Sequence, residues 1–158
     1  MNKKPLTLRG QLSIYHYTQN DLGEETILDP KETVKQRSSY SQNDYKLSGF
    51  PRVFYYTDLS KVEWQVKSKN LYTTKVDGGK ILSLQSALEE YKSNKDEMKL
   101  NNPKAWEVID GLIGRGYSDW DSMFRSASKN YLGIIYDRGN LPMVNIFKSL
   151  KVKKYAGS

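Results

Sequence analysis

Leu12-Ser13-Ile14-Tyr15-His16-Tyr17 alternates apolar and polar residues and is built from β-favouring types. It reads as a first strand, because successive side chains of a strand point to opposite faces of a sheet. Arg52-Val53-Phe54-Tyr55-Tyr56-Thr57 has the same character and predicts a second strand. Between them, Thr18 through Gly49 is polar and rich in turn formers, with Asp29-Pro30 and Ser48-Gly49. So long a connection inside a compact domain is usually functional or mobile. The segment is therefore expected to be largely irregular and to lie over or beside a cleft between the two strands.

Further along, Asp58 or Ser60 is placed to cap a short helix through Val62, Trp64 and Val66. Leu71 to Val76 and Lys80 to Leu84 read as short strands around the Asp77-Gly78-Gly79 turn. Leu84, Ala87, Leu88 and Tyr91 follow helical spacing, while Tyr91 to Asn101 is too charged to bury and reads as an exposed helix end or linker. Pro103 opens the next helix, whose stripe is Trp106, Ile109, Leu112 and Ile113 and whose end is marked by Gly114 and Gly116. Ser118 and Asp121 resemble a capping pair for a helix carrying Trp120, Met123, Phe124 and Ala127. Tyr131 to Asp137, Val144 to Lys148 and Leu150 to Tyr155 read as closing strands. Strands early and late with helices between predict an α+β fold rather than alternating βαβ units.

The chain has 158 residues, which fits a single domain with its core between about residues 10 and 155. Its apolar fraction of 37% is low, and twelve Tyr and three Trp compensate because each aromatic ring buries a large area. The absence of Cys excludes disulfides, thiolate metal sites and a Cys nucleophile, and a single His excludes a multi-His metal site. No metal is expected. No stretch approaches the roughly 20 apolar residues of a membrane helix, and none follows the basic start Met1-Asn2-Lys3-Lys4-Pro5. A cytoplasmic protein without a membrane partner is expected. No P-loop, Rossmann glycine pattern or Gly-x-Ser-x-Gly turn is present. The net charge of +7 favours acidic partners: nucleic acid, a phosphorylated cofactor or an acidic protein surface. Lys148, Lys151, Lys153 and Lys154 gather near the end and read as a solvated strand edge.

Tyr15-His16-Tyr17-Thr18 places a His on a strand with Thr two residues on, and Phe54-Tyr55-Tyr56-Thr57-Asp58 places an aromatic pair on a strand before a small residue and Asp. These pieces resemble the first and second motifs of the ADP-ribosyltransferase superfamily of the His-Tyr-Glu type, which includes diphtheria-toxin-like enzymes and poly(ADP-ribose) polymerases. Tyr131-Leu132-Gly133-Ile134-Ile135-Tyr136-Asp137, Val144-Asn145-Ile146-Phe147 and Leu150-Lys151-Val152 are similar to the C-terminal half of such domains in phage proteins. Leu28-Asp29-Pro30-Lys31 and Gly49-Phe50-Pro51-Arg52 resemble the same phage-associated subset. The likeness covers most of Leu12 to Lys154.

The resemblance implies a split, strongly bent β-sheet core with peripheral helices and NAD as substrate. It implies that His16 holds the nicotinamide-side ribose and Tyr55 stacks on nicotinamide. Trp64 or Tyr72 would supply a second aromatic, and Thr18 and Arg52 secondary contacts. Active members carry a Glu just before the last-but-one strand, where this chain has Met143. Loss of that carboxylate removes stabilisation of the oxocarbenium-like state, an effect of several kcal/mol in comparable sites. Asp137, beside the same turn, is the carboxylate that would act in its place. Two functions follow from the likeness. One is an NAD-binding transferase that ADP-ribosylates a host protein in the host cytoplasm. The other is a catalytically inactive module of the same fold that contacts a host protein or nucleic acid. Fold analogy does not choose between them.

Overall fold

The computed structural model of the chain describes residues 5–18, 20–32, 50–61, 70–116 and 120–155. Its strands are β1 Gln11–Thr18, β2 Glu25–Leu28, β3 Val53–Tyr56, β4 Asn70–Asp77, β5 Ile81–Ser83, β6 Gly133–Arg138, β7 Leu141–Ile146 and β8 Leu150–Lys154. They form one mixed open sheet in the order β2-β8-β4-β1-β3-β7-β6-β5. Among the described residues, the α-helices α1 Leu84–Asn101, α2 Pro103–Gly114 and α3 Trp120–Ser128 fall between β5 and β6, and residues 30–32 are also helical. The class is α+β, as the clustering of periodicities predicts. The only parallel pair among the described strands is β5 with β6. Parallel neighbours need a long crossover, and the helices supply it.

Pairing along the sheet is uneven. β1 runs its whole length against β4, from Gln11 opposite Asp77 to Thr18 opposite Asn70. β3 runs its whole length against β7, from Val53 opposite Ile146 to Tyr56 opposite Met143. β1 and β3 register only at Tyr15 and Tyr56. Two well-paired halves, β2-β8-β4-β1 and β3-β7-β6-β5, therefore meet at a narrow junction.

Strand alternation sorts the side chains into two cores. Ile14, Val53, Tyr55, Tyr72, Val144, Ile146 and Val152 are buried together on one side of the sheet. On the other side Leu82 and Ile134 pack under Ile109, Leu112, Met123 and Phe124 of the helices. Full burial of each such side chain stabilises the fold by about 1.5–3 kcal/mol. Gly133 opens β6 where no side chain fits: a Cβ there would lie 2.5 Å from the Asn145 carbonyl oxygen.

Local chemistry explains the helix bounds. Ser83 caps α1, its side chain accepting from the Ser86 N–H. Pro103 occupies the first position of α2, where its missing N–H costs nothing. The charged stretch from Tyr91 to Asn101 stays helical and is no linker. It turns at the non-helical Asn94, which lets Met98 reach full burial.

Glu25–Leu28, within the stretch expected to be largely irregular, forms the short strand β2 and pairs with β8. β8 is therefore an inner strand, and its lysines do not line an edge. The turn expected at Asp77-Gly78-Gly79 is the 3-10 turn Gly78–Lys80, capped by Asp77, and past it β5 departs to the far edge of the sheet. There β5 is held by residues near the start of the chain, with Leu8 N–H donating to Ile81 and Ser83 N–H to Leu6. Asp58 caps the short turn Leu59–Lys61, with Ser60 donating to its carboxylate. The helix expected through Val62, Trp64 and Val66, the cap at Ser118, and residues 33–49 lie outside the described residues. No described helix is long and apolar enough to cross a membrane.

Candidate functional site

His16 stands on β1 directly opposite Tyr72 of β4. Its ring lies 5.7 Å from that of Tyr55, centroid to centroid, at a tilt of 55°. The two residues singled out from the sequence thus share one face across the β1–β3 junction. The imidazole Nδ1–H donates to the Phe54 carbonyl at 2.7 Å. A carbonyl cannot donate, so this bond places the proton on Nδ1 and leaves a lone pair on Nε2. Burial lowers the pKa of His16 below its ordinary value, with the Phe54 bond acting more weakly in the other direction. The ring is therefore a neutral acceptor at neutral pH, suited to a hydroxyl.

Thr18 lies two residues further along β1 on the same face, half-buried, with its hydroxyl donating to the Asn20 carbonyl. Beyond it the chain is fastened to Tyr72. That phenol accepts from the Leu22 N–H at 2.8 Å and donates to the Gly23 carbonyl at 2.8 Å. Asp21 pairs with Lys154 at 2.8 Å, and the hydrogen bond from Lys154 holds its carboxyl below the usual range.

Tyr55 has no exposed surface, and its hydroxyl has no hydrogen-bond partner among the described residues. Burial raises its pKa far above the ordinary phenol value. Tyr72 is equally buried. Both rings act as the floor and wall of His16 and offer no open face to a ligand.

Other expected site residues are elsewhere. Arg52 is nearly buried on the helix side, with its guanidinium 5.0 Å from the centre of the Phe54 ring and 4.4 Å from that of Phe124. Met143 is in register with Tyr56 and Tyr136, so it also faces the helix side, away from His16. Asp137 is exposed near the end of β6, and β7 and β3 stand between that strand and β1. At a strand spacing of about 4.8 Å, β6 and β1 lie roughly 14 Å apart. Trp64 lies outside the described residues. The structure brings together His16, Thr18, Tyr55 and Tyr72, and does not bring Arg52 or Asp137 to them.

The sequence reading gave Asn145 no role beyond its place in a strand motif and near Met143. Asn145 on β7 is fully buried, and neither its amide nitrogen nor its oxygen has a hydrogen-bond partner among the described residues. It is in register with Phe54 and Ile134. The signal available was a lone polar residue inside Val144-Asn145-Ile146-Phe147. No group of three or more His, Asp or Glu residues able to hold a metal occurs among the described residues. Comparison of the chain with protein-family models, curated proteins and solved structures gives no match.

Proposed function

We propose that this protein is an ADP-ribosyltransferase-like module of the phage-associated kind, with a split and bent sheet, that binds NAD without transferring ADP-ribose. The observation that carries the reading is the His16 to Phe54 bond, which leaves Nε2 as a neutral acceptor at the point where β1 and β3 part. The narrow β1–β3 junction supports the split-sheet part of the proposal, since two independently paired halves are what a split sheet requires.

The fit to NAD covers one ribose hydroxyl. His16 is partly exposed and accepts from it, and Thr18 on the same face adds a hydroxyl. Tyr55 acts through His16, fixing the ring against rotation, rather than by stacking on nicotinamide. NAD brings the labile nicotinamide–ribose bond; this chain binds and orients the ribose. Among the described residues, the carboxylate that meets this group is Asp21, at the Tyr72 hydroxyl, and Lys154 already pairs with it, which supports binding over turnover.

Calorimetric titration of NAD into wild type and His16→Ala tests the reading. Binding by wild type, weakened about tenfold in the variant, is expected for loss of one hydrogen bond with its supporting contacts. Absence of NAD binding by wild type would overturn it.

A further inference from the structure

The side of the β2-β8-β4-β1 half that faces away from His16 is chemically unlike the rest of the sheet. Toward His16 these strands bury Ile14, Leu28, Tyr72, Val76 and Val152. Toward the opposite side every second residue of the same strands is half-buried or exposed, and none is fully buried. The core formed with α1, α2 and α3 contains no residue of these four strands. This half-sheet thus presents an open side among the described residues.

That side carries aromatic rings interleaved with lysines. Tyr15 stands on β1, and Tyr155 continues the line of β8, its N–H donating to Leu71 at 2.8 Å. Their rings meet edge to face at 5.6 Å, reaching across β4. Tyr155 is 38% exposed although it is a large ring. A second pair, Tyr17 and Tyr56, stacks at 5.6 Å beside them. Lys75, Lys151 and Lys153 are exposed on the same side of β4 and β8. The carboxylates there are Glu25, which meets Lys151 at 3.3 Å, and Asp77, which caps Gly79 at the far end of β4.

We propose that this face binds single-stranded RNA. Rings on an open sheet stack with unpaired bases, and flanking lysines neutralise phosphates, so the combination recognises a strand whose bases are not already paired. Charge complementarity selects the partner, because the face is cationic on a chain of net charge +7. One contact favours ribose over deoxyribose. Thr73 on β4, within this face, already donates its hydroxyl proton to the Ile14 carbonyl at 3.0 Å. It can therefore only accept from a ligand, and the 2′-hydroxyl is the sugar group that donates. The face lies across the sheet from His16, so this proposal stands or falls apart from NAD binding.

Fluorescence anisotropy with a labelled oligouridylate of about 12 nucleotides tests it over a salt series. Neutralising Lys75, Lys151 and Lys153 together to Gln is expected to flatten the log–log salt slope by about 2, near 0.7 for each lost phosphate contact. Neutralising Lys92, Lys104 and Lys129 removes the same charge from exposed helix-side and loop positions and is expected to leave the slope in place. Tyr155→Ala removes an exposed ring and Tyr15→Leu keeps bulk under it; each is expected to weaken binding about tenfold. Absence of binding at low salt, equal loss in the two lysine triples, or equal affinity for the matching oligodeoxynucleotide would overturn the proposal. So would a dimer in sedimentation that Tyr155→Ala dissolves, which would assign the face to a second copy of the chain.

Discussion

The imidazole of His16 donates to the carbonyl of Phe54 at 2.7 Å, across a junction whose backbone register is confined to Tyr15 and Tyr56. The side chain is thus a second tie between the two halves of the sheet. It holds the half carrying β4 and β8 against the half carrying β7 and β6.

That tie predicts a pH dependence of stability. Burial sets the native pKa of His16 below its ordinary value of 6.5. Between the native value and 6.5 the unfolded chain binds the extra proton and the folded chain does not. The contribution is therefore intact above 6.5 and is lost progressively as pH falls below it. Urea midpoints of wild type and His16→Asn, measured from about pH 7.5 down to about pH 5.5, should converge or cross as wild type loses ground. Parallel profiles would show that His16 takes up its proton in the folded state as readily as in the unfolded one.

Gly133 is the position least tolerant of a side chain in the described sheet. Its missing Cβ would stand 2.5 Å from the Asn145 carbonyl oxygen and 2.9 Å from Ile146 Cδ1. The backbone contact cannot be relieved by turning a side chain, so β6 would have to move from β7. Gly133→Ala is expected to destabilise by about 1–3 kcal/mol or more, read as a lower urea midpoint with unchanged m-value. An unchanged midpoint would mean that the two strands separate at little cost.

Asn145 should behave in the opposite way. Its amide is fully buried with no hydrogen-bond partner among the described residues. Replacing such a group by an apolar one of similar shape removes a desolvation penalty of about 1–3 kcal/mol. Asn145→Leu is therefore expected to raise the urea midpoint. A fall would indicate that a buried water satisfies the amide in solution.

Part of this was open to reading from periodicity alone. The apolar stripes of α2 and α3 follow from the period of 3.6 residues, whereas His16 and Tyr55 on a shared face was what the family likeness implied. Alternation also separates Arg52 from Tyr55, three positions apart on one strand; the family likeness placed them in one site. Register was not legible. That Met143 falls opposite Tyr56 rather than beside Tyr55 depends on how β7 slides along β3, and local sequence does not set it. β2 was hidden for another reason. Four residues with one buried side chain, Leu28, give too short a pattern, and it is β8 that holds them straight. The helix through Tyr91 to Asn101 was obscured by its charge, since Met98 alone anchors its far part in the core.

The register of β7 also decides what to expect of catalysis. Breaking the nicotinamide–ribose bond builds positive charge on the ribose, and an adjacent carboxylate is worth several kcal/mol there. Asp137 is exposed, on a strand separated from β1 by β7 and β3. Across roughly 14 Å of solvated surface its attraction for a unit positive charge is about 0.3 kcal/mol, less than a twofold effect on rate. Met143 is buried and in register with Tyr56 and Tyr136, so a carboxylate installed there would enter the helix-side core and not the face of His16. Nicotinamide release by wild type is accordingly expected at the background of free NAD. Asp137→Ala should leave it there, and Met143→Glu should lower stability without gaining activity. Release well above background in wild type, reduced by Asp137→Ala, would bring that carboxylate into the site. Release gained by Met143→Glu would require β7 to present its other face to NAD, and the register with β3 given above would then be wrong.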